Sequence, residues 1–201
     1  MVGRRAYDLM YRIGAPWESG PRAELVDLVT TGRIRPGRAV DLGCGSGANA
    51  VFLATQGFDV TGIDFSPVAL SSARRAAGEA AVEIRFVNAD LTASPDWAGG
   101  DGYDLVVDYG VLDDLRGAGR RAMAAVVHRI THPGSVVVLW CFYDEIAWWR
   151  RAGARFPGLL PGEVHRLFGA AFTVDRLPEP AAGSGFACFL LTRRTTPAGR
   201  S

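Results

Sequence analysis

Lysine is absent: every one of the 22 basic residues in this 201-residue chain is an arginine. No side-chain amine is therefore available as a Schiff base or a lysine general base. Cysteine is scarce and scattered, at Cys44, Cys141 and Cys188 with no C-x-x-C pair, which argues against a disulfide scaffold. No His/Cys/Asp cluster has metal-ligand spacing, so no metal is expected. Long apolar runs are missing too. The longest, Ser135 to Phe142, is far too short to cross a bilayer. The N-terminal MVGRRAYDLMYRIGAPW lacks the apolar stretch of a secretory signal. Neither sign of charge dominates: the formal net charge of +1 speaks against a broad nucleic-acid footprint. The expectation is a cytoplasmic protein, monomer or homodimer, with a small-molecule partner and neither nucleic acid nor membrane.

What is present is an ordinary globular composition, 48% hydrophobic and 21% charged, on a chain long enough for one sizeable domain. Buried-strand patterns at residues 38–44, 58–64, 82–90, 103–110 and 134–142 alternate with helical ones at 48–57, 66–80 and 120–130. Ser66 as N-cap followed by Pro67 is a strong helix start. Two further strands, 171–177 and 186–194, follow each other without a helix between them. The pattern predicts an α/β, doubly wound, mostly parallel seven-stranded sheet with an antiparallel C-terminal hairpin strand. Residues 1–194 are read as a single domain, residues 1–35 as a helical segment able to lie across its ligand edge, and 195–201 as a flexible tail.

The stretch AVDLGCGSGANA (39–50) brings Gly43, Gly45 and Gly47 directly after the first strand and before the first helix of the sheet. Bare backbone there lets a ligand approach closely, and the helix that follows offers unpaired N–H groups. Asp64 ends the second strand, where a carboxylate can accept from a ribose diol. Nicotinamide dinucleotides and S-adenosylmethionine both suit this arrangement. Asp41 separates them: a carboxylate there would repel a pyrophosphate and favour a cationic sulfonium ligand or its ammonium.

VDLGCGSG resembles the first motif of the class I S-adenosylmethionine-dependent methyltransferases. GIDFS (62–66) resembles their ribose-binding acidic motif, NADL (88–91) the segment that meets the adenine, and YDLVVDYGVLDDL (103–115) the fourth-strand motif. The resemblance implies a Rossmann-like methyltransferase fold and cofactor contacts from Asp64, Phe65, Asp90, Leu91, Asp108 and Tyr109. YDLMYRIGAPWESGP (7–21) is similar to the start of the thiopurine methyltransferase-like branch, which includes small-molecule, thiol and halide methyltransferases. By that likeness Tyr11 and Trp17 would line the pocket.

Methyl transfer from a sulfonium needs alignment and exclusion of water more than acid–base help; a thiol is already partly ionised at neutral pH. His128 and His132 fall at the sheet edge away from the ligand, leaving His165 as the one reachable histidine. Asp113 and Asp114 follow the fourth strand; they can bind a cationic acceptor, take a proton or cap the next helix. Histidine is common near here in related enzymes, and its absence puts a histidine-assisted mechanism in doubt. Asp113, Asp114 and His165 are the candidate catalytic residues. Trp140, Phe142, Tyr143, Trp148, Trp149 and Phe156 cluster after the fifth strand. Phe142, Tyr143 and Trp148, with Trp17, are the candidate acceptor walls. A compact apolar or aromatic acceptor is expected, thiol or phenolic oxygen ahead of amine. The competing readings are a nicotinamide-dependent oxidoreductase, disfavoured by Asp41, and a non-catalytic cofactor-binding relative of the methyltransferases.

Overall fold

The structure is a computed structural model that describes residues 4–13, 20–92, 96–98, 102–143, 158–178 and 185–195. Helices α1 (Arg4–Ile13) and α2 (Ala23–Thr30) precede the sheet. Then follow β1 (Arg38–Leu42), α3 (Ala48–Thr55), β2 (Asp59–Asp64), α4 (Pro67–Glu79), β3 (Arg85–Asn88), β4 (Tyr103–Tyr109), α5 (Gly117–Ile130) and β5 (Thr131–Phe142). The last elements are α6 (Glu163–Phe168), β6 (Phe172–Arg176) and β7 (Phe186–Arg193).

The seven strands form one sheet in the order β3-β2-β1-β4-β5-β7-β6. Strands β1 to β5 pair in parallel, and β7 runs antiparallel to both β5 and β6. The antiparallel member is thus the last strand, inserted between its two neighbours. Strand order reverses between β1 and β4, and ligands of such sheets bind beyond the carboxyl ends at that switch point.

Side chains alternate between the two faces with the period of two that strands impose. Along β5, Val137, Leu139 and Cys141 join the apolar cluster with α5 and α6, whereas Val138 and Trp140 join the cluster with α2 and α3. The elements follow the sequence closely, with differences at their ends. β3 is shorter than expected because α4 closes through residues 81 and 82: Ala81 has φ 53° and Val82 N–H donates to Ala77 O at 3.0 Å. Its far end is cut off where Asp90 Oδ1 turns back to accept from Thr92 N–H at 2.8 Å. β5 starts earlier than expected. His132 N–H donates to Ser135 Oγ, and that hydroxyl donates to Tyr103 O at 2.7 Å, holding the irregular start of the strand to β4.

One buried cation ties the region after β4 to α6. Arg120 donates from Nη1 to both Glu163 oxygens (2.7 and 2.8 Å), from Nε to Leu112 O (3.2 Å), and from Nη2 to Asp113 O (3.2 Å) and Gly158 O (2.9 Å). Its planar fork satisfies three backbone carbonyls and pairs with a half-buried carboxylate that also accepts from Leu160 N–H at 3.0 Å. Removing one partner of such a pair leaves the rest uncompensated. Arg120→Met is therefore expected to destabilise the protein by about 3 kcal/mol or more. Urea denaturation followed by circular dichroism checks this, and a change below about 1 kcal/mol would make the network dispensable.

Candidate functional site

The carboxyl ends of β1, β2 and β4 open into a cavity of about 610 Å³, within the range of small-molecule sites. Its floor is the turn after β1, supplied by Gly43, Cys44, Gly45 and Ser46. Gly45 has φ 53°, and a Cβ there would meet the Tyr11 hydroxyl at 2.8 Å. The turn thus depends on glycine for its backbone conformation and for the space between it and α1. Gly47 is different. It lies outside the lining residues, and a Cβ on it would stand 2.9 Å from Ala73 Cβ. Its bareness lets α3 begin against α4.

Asp64 is buried at the end of β2. Its Oδ2 accepts from Gly45 N–H at 3.0 Å and its Oδ1 from Ser66 N–H at 2.8 Å. Burial raises its pKa, opposed by those two donors. Each oxygen retains a further lone pair, and Asp64 lines the cavity with Phe65. Asp90 and Leu91 form the next part of the wall, Tyr109 and Gly110 the part at the end of β4.

α1 lies on the cavity side. Tyr7 and Tyr11 both line the cavity, Tyr7 donates to Asp114 Oδ2 at 3.0 Å, and Ser66 Oγ hydrogen-bonds Asp8. Burial and the adjacent Asp114 raise the Tyr7 pKa, keeping it a neutral donor.

The acids divide into wall and support. Asp41 is buried outside the lining, and neither of its oxygens has a hydrogen-bond partner of good geometry among the described residues. Burial, then the nearby Asp64, push its pKa up to about 7, with only the Ala50 N–H acting the other way. Asp108 also lies outside the lining. It accepts from Val111 N–H (2.9 Å) and Leu112 N–H (3.2 Å), shaping the turn after β4, and burial pushes it up to about 8. Asp113 points into the protein, where Oδ2 accepts from Phe142 N–H at 2.6 Å; burial raises it to about 6. Asp114 lines the cavity, and its pKa is raised first by burial. Neither Asp113 nor Asp114 caps α5, whose N-cap is Arg116 with no side-chain bond.

His165 is exposed on α6 and outside the lining, because Val164 and Phe168 are the residues that α6 buries. His132 sits 3.3 Å from Asp104 near the start of β4, and His128 packs on Phe168 and Phe172. No histidine is among the described lining residues.

Of the proposed acceptor walls, Phe142 lines the cavity. Tyr143, the next residue and therefore on the other face, is buried against Phe189 (5.4 Å between ring centres), with the exposed Arg176 over its ring. Trp17 and Trp148 lie outside the described residues. The aromatic wall continues instead through Trp140 and Phe186, whose rings stack at 4.2 Å, and through Tyr109, 4.3 Å from Trp140. Sequence reasoning missed Tyr7, Arg22, Asn49 and Phe186 and left Trp140 undivided from the core. The alternation along β5 is a signal that pairs Trp140 with Phe142.

The site fits S-adenosylmethionine. A glycine turn leaves its backbone open, Asp64 keeps lone pairs for hydroxyl donors, and acids on and behind the wall suit a cation.

The buried acids also set a pH dependence. A carboxyl whose pKa is raised in the folded state keeps its proton when the unfolded chain would lose it. Stability is then fully present below the ordinary carboxylate pKa of about 4 and is lost as pH rises through the folded values of about 7 for Asp41 and about 8 for Asp108. The ligand-free protein is expected to melt at a lower temperature at about pH 8 than at about pH 5, with a shallower fall in Asp41→Asn. Scanning fluorimetry at constant ionic strength checks this; an equal slope in the variant would remove Asp41 from the account.

A methyltransferase-domain family model matches residues 39–134. The 2-heptyl-1-hydroxyquinolin-4(1H)-one methyltransferase of Mycobacteroides abscessus is 27% identical over 177 residues, 85% of this chain and 75% of that protein. Thiocyanate methyltransferase 1 of Brassica oleracea is 31% identical over 62% of this chain, which spans only 55% of that relative. The structure of the N-methyltransferase NodS from Bradyrhizobium japonicum, solved with S-adenosyl-L-homocysteine, superposes with a TM-score of 0.73. It is 20% identical and covers 96% of this chain and 98% of its own. Glycine turn, strand order and these relatives together support a class I S-adenosylmethionine-dependent methyltransferase.

Proposed function

We propose that this methyltransferase acts on a compact, largely apolar or aromatic acceptor, with thiol sulfur or phenolic oxygen ahead of amine nitrogen. The observation that carries this reading is the composition of the wall. Tyr109, Trp140, Phe142 and Phe186 offer flat apolar surface, and no histidine is among the described lining residues. Such a site suits a nucleophile that ionises without help. The relatives that act on a hydroxyquinolone and on thiocyanate lend support to an oxygen or sulfur nucleophile.

When bound, S-adenosylmethionine supplies an electrophilic methyl on a positively charged sulfur. Asp64 would hold the ribose hydroxyls, with the Gly43–Ser46 turn beneath and Phe65, Asp90 and Leu91 around the adenine. Tyr7 and Tyr11, carried by α1, would close the cavity against water, and the aromatic wall would orient the acceptor. Orientation and exclusion of solvent are worth several kcal/mol of barrier in such displacements. Asp41 and Asp108, behind the wall and held up at about 7 and about 8 by burial, would be drawn toward ionisation by the cationic cofactor, acting through potential rather than contacts. Asp113 would hold the Phe142 backbone in place, and Asp114 would anchor Tyr7.

Asp64→Ala is expected to weaken S-adenosylhomocysteine binding by about 1.5–3 kcal/mol, the range for hydrogen bonds to a charged group. Titration calorimetry on the folded variant measures it, and unchanged affinity would take Asp64 out of the site. The acceptor is tested by screening thiols, phenols and amines for cofactor turnover. On the best substrate, kcat/KM should rise with pH as the acceptor ionises, and Asp114→Asn should keep most of the activity. A loss of about 10²-fold or more with cofactor still bound would make Asp114 a base or cation site and bring amines forward.

A further inference from the structure

Arg22 is the only cation among the described residues lining the cavity; the other charged members are Asp64, Asp90 and Asp114. Its place is set by the backbone, since Arg22 N–H donates to Asn49 Oδ1 at 3.0 Å at the start of α3. The guanidinium lies 3.5 Å from the centre of the Tyr109 ring and 5.2 Å from that of Trp140. At 3.5 Å a planar guanidinium rests on the ring face and directs its N–H bonds along its own plane. The rings beyond it, Trp140, Phe186 and Phe142, continue the wall away from the glycine turn. Desolvation lowers the Arg22 pKa, opposed by Tyr109 and by Glu24 in the first turn of α2. This half-buried cation faces the cavity from its ring-stacked position, where an anion would come within its reach.

We infer that Arg22 is the anion-holding residue of the acceptor site, and that the acceptor binds as a flat aromatic phenolate or thiolate laid on the Trp140–Phe186 wall. This rests on the reading that the acceptor is a thiol or phenol, and it adds the ionised state and the residue that selects it. The acceptor gives its proton to solvent on binding, because a neighbouring guanidinium lowers the pKa of an acidic O–H or S–H. Its lone pair then forms the bond to the methyl carbon, the electron pair of the broken carbon–sulfur bond stays on sulfur, and the negative and positive charges cancel. No proton moves in that step, in keeping with a wall without histidine.

The test uses 4-nitrophenol and 4-nitrothiophenol as acceptors, with Arg22→Gln and, to restore the charge, Arg22→Lys. Arg22→Gln should raise KM for both probes about tenfold or more and, with 4-nitrophenol, move the rising limb of kcat to higher pH, with S-adenosylhomocysteine affinity within about twofold of wild type. Arg22→Lys should recover part of the loss. The neutral isostere 4-nitrotoluene should inhibit wild type and Arg22→Gln equally. Melting curves with bound S-adenosylhomocysteine establish that the variants are folded. Equal KM and equal pH profiles in wild type and Arg22→Gln overturn the assignment while leaving a thiol or phenol acceptor standing. A tenfold loss of S-adenosylhomocysteine binding, with methylthioadenosine binding unchanged, overturns it by giving Arg22 to the cofactor carboxylate. Turnover of amines but of neither probe overturns the underlying acceptor reading, and this inference with it.

Discussion

Asp64 accepts one backbone N–H from each of two turns, and the ligand edge is organised around that fact. Gly45 belongs to the turn between β1 and α3, Ser66 to the turn between β2 and α4. A single buried carboxylate therefore sets the two loops against each other. Ser66 in turn caps α4 through Ala69 N–H and holds Asp8 of α1. Gly45 leaves the gap that Tyr11 fills. Floor, wall and covering helix all take their positions from one side chain whose own burial is costly, and which persists because both its oxygens have donors.

The same economy governs β4. Its acids look catalytic in one dimension, since four aspartates fall between residues 104 and 114. In space each has a different task. Asp104 meets Arg38 N–H at the far edge, Asp108 gathers Val111 and Leu112 N–H groups, Asp113 takes Phe142 N–H, and Asp114 receives the Tyr7 hydroxyl. Three of the four carboxyls are thereby gathered near the cavity, raised by burial, and a cationic ligand would favour their ionised form.

What was legible in the sequence was whatever local chemistry determines. The glycine turn, Asp64 and the Ser66–Pro67 helix start are contiguous, and their meaning depends on neighbours a few residues away. The strand alternation likewise announced a parallel sheet. Tyr7, Arg22 and Phe186 were not legible as wall residues because their partners are remote: Tyr7 and Asp114 are 107 positions apart. Phe142 and Tyr143 could not be told apart by composition, only by parity along β5. Asp108 and Asp113 were misleading for a chemical reason: a carboxylate that accepts from a backbone turn and one that meets a ligand are the same residue type. His165 was reachable by topology but faces solvent, because the short α6 buries Val164 and Phe168 instead.

The insertion of β7 between β5 and β6 bears on how the protein is made. Elements from β1 to β5 can pair as they leave the ribosome, each parallel strand finding its neighbour through a nearby helix. β6 cannot, since among the described residues its only partner is β7, which has not yet been synthesised. Until then the edge of β5 and both edges of β6 present unpaired backbone groups, the kind of surface that recruits stray strands. Phe186, at the start of β7, completes the aromatic wall last of all. A nascent chain halted before β7 would hold a formed glycine turn beside an unfinished wall, and in that state it would depend on chaperones more than its modest size suggests.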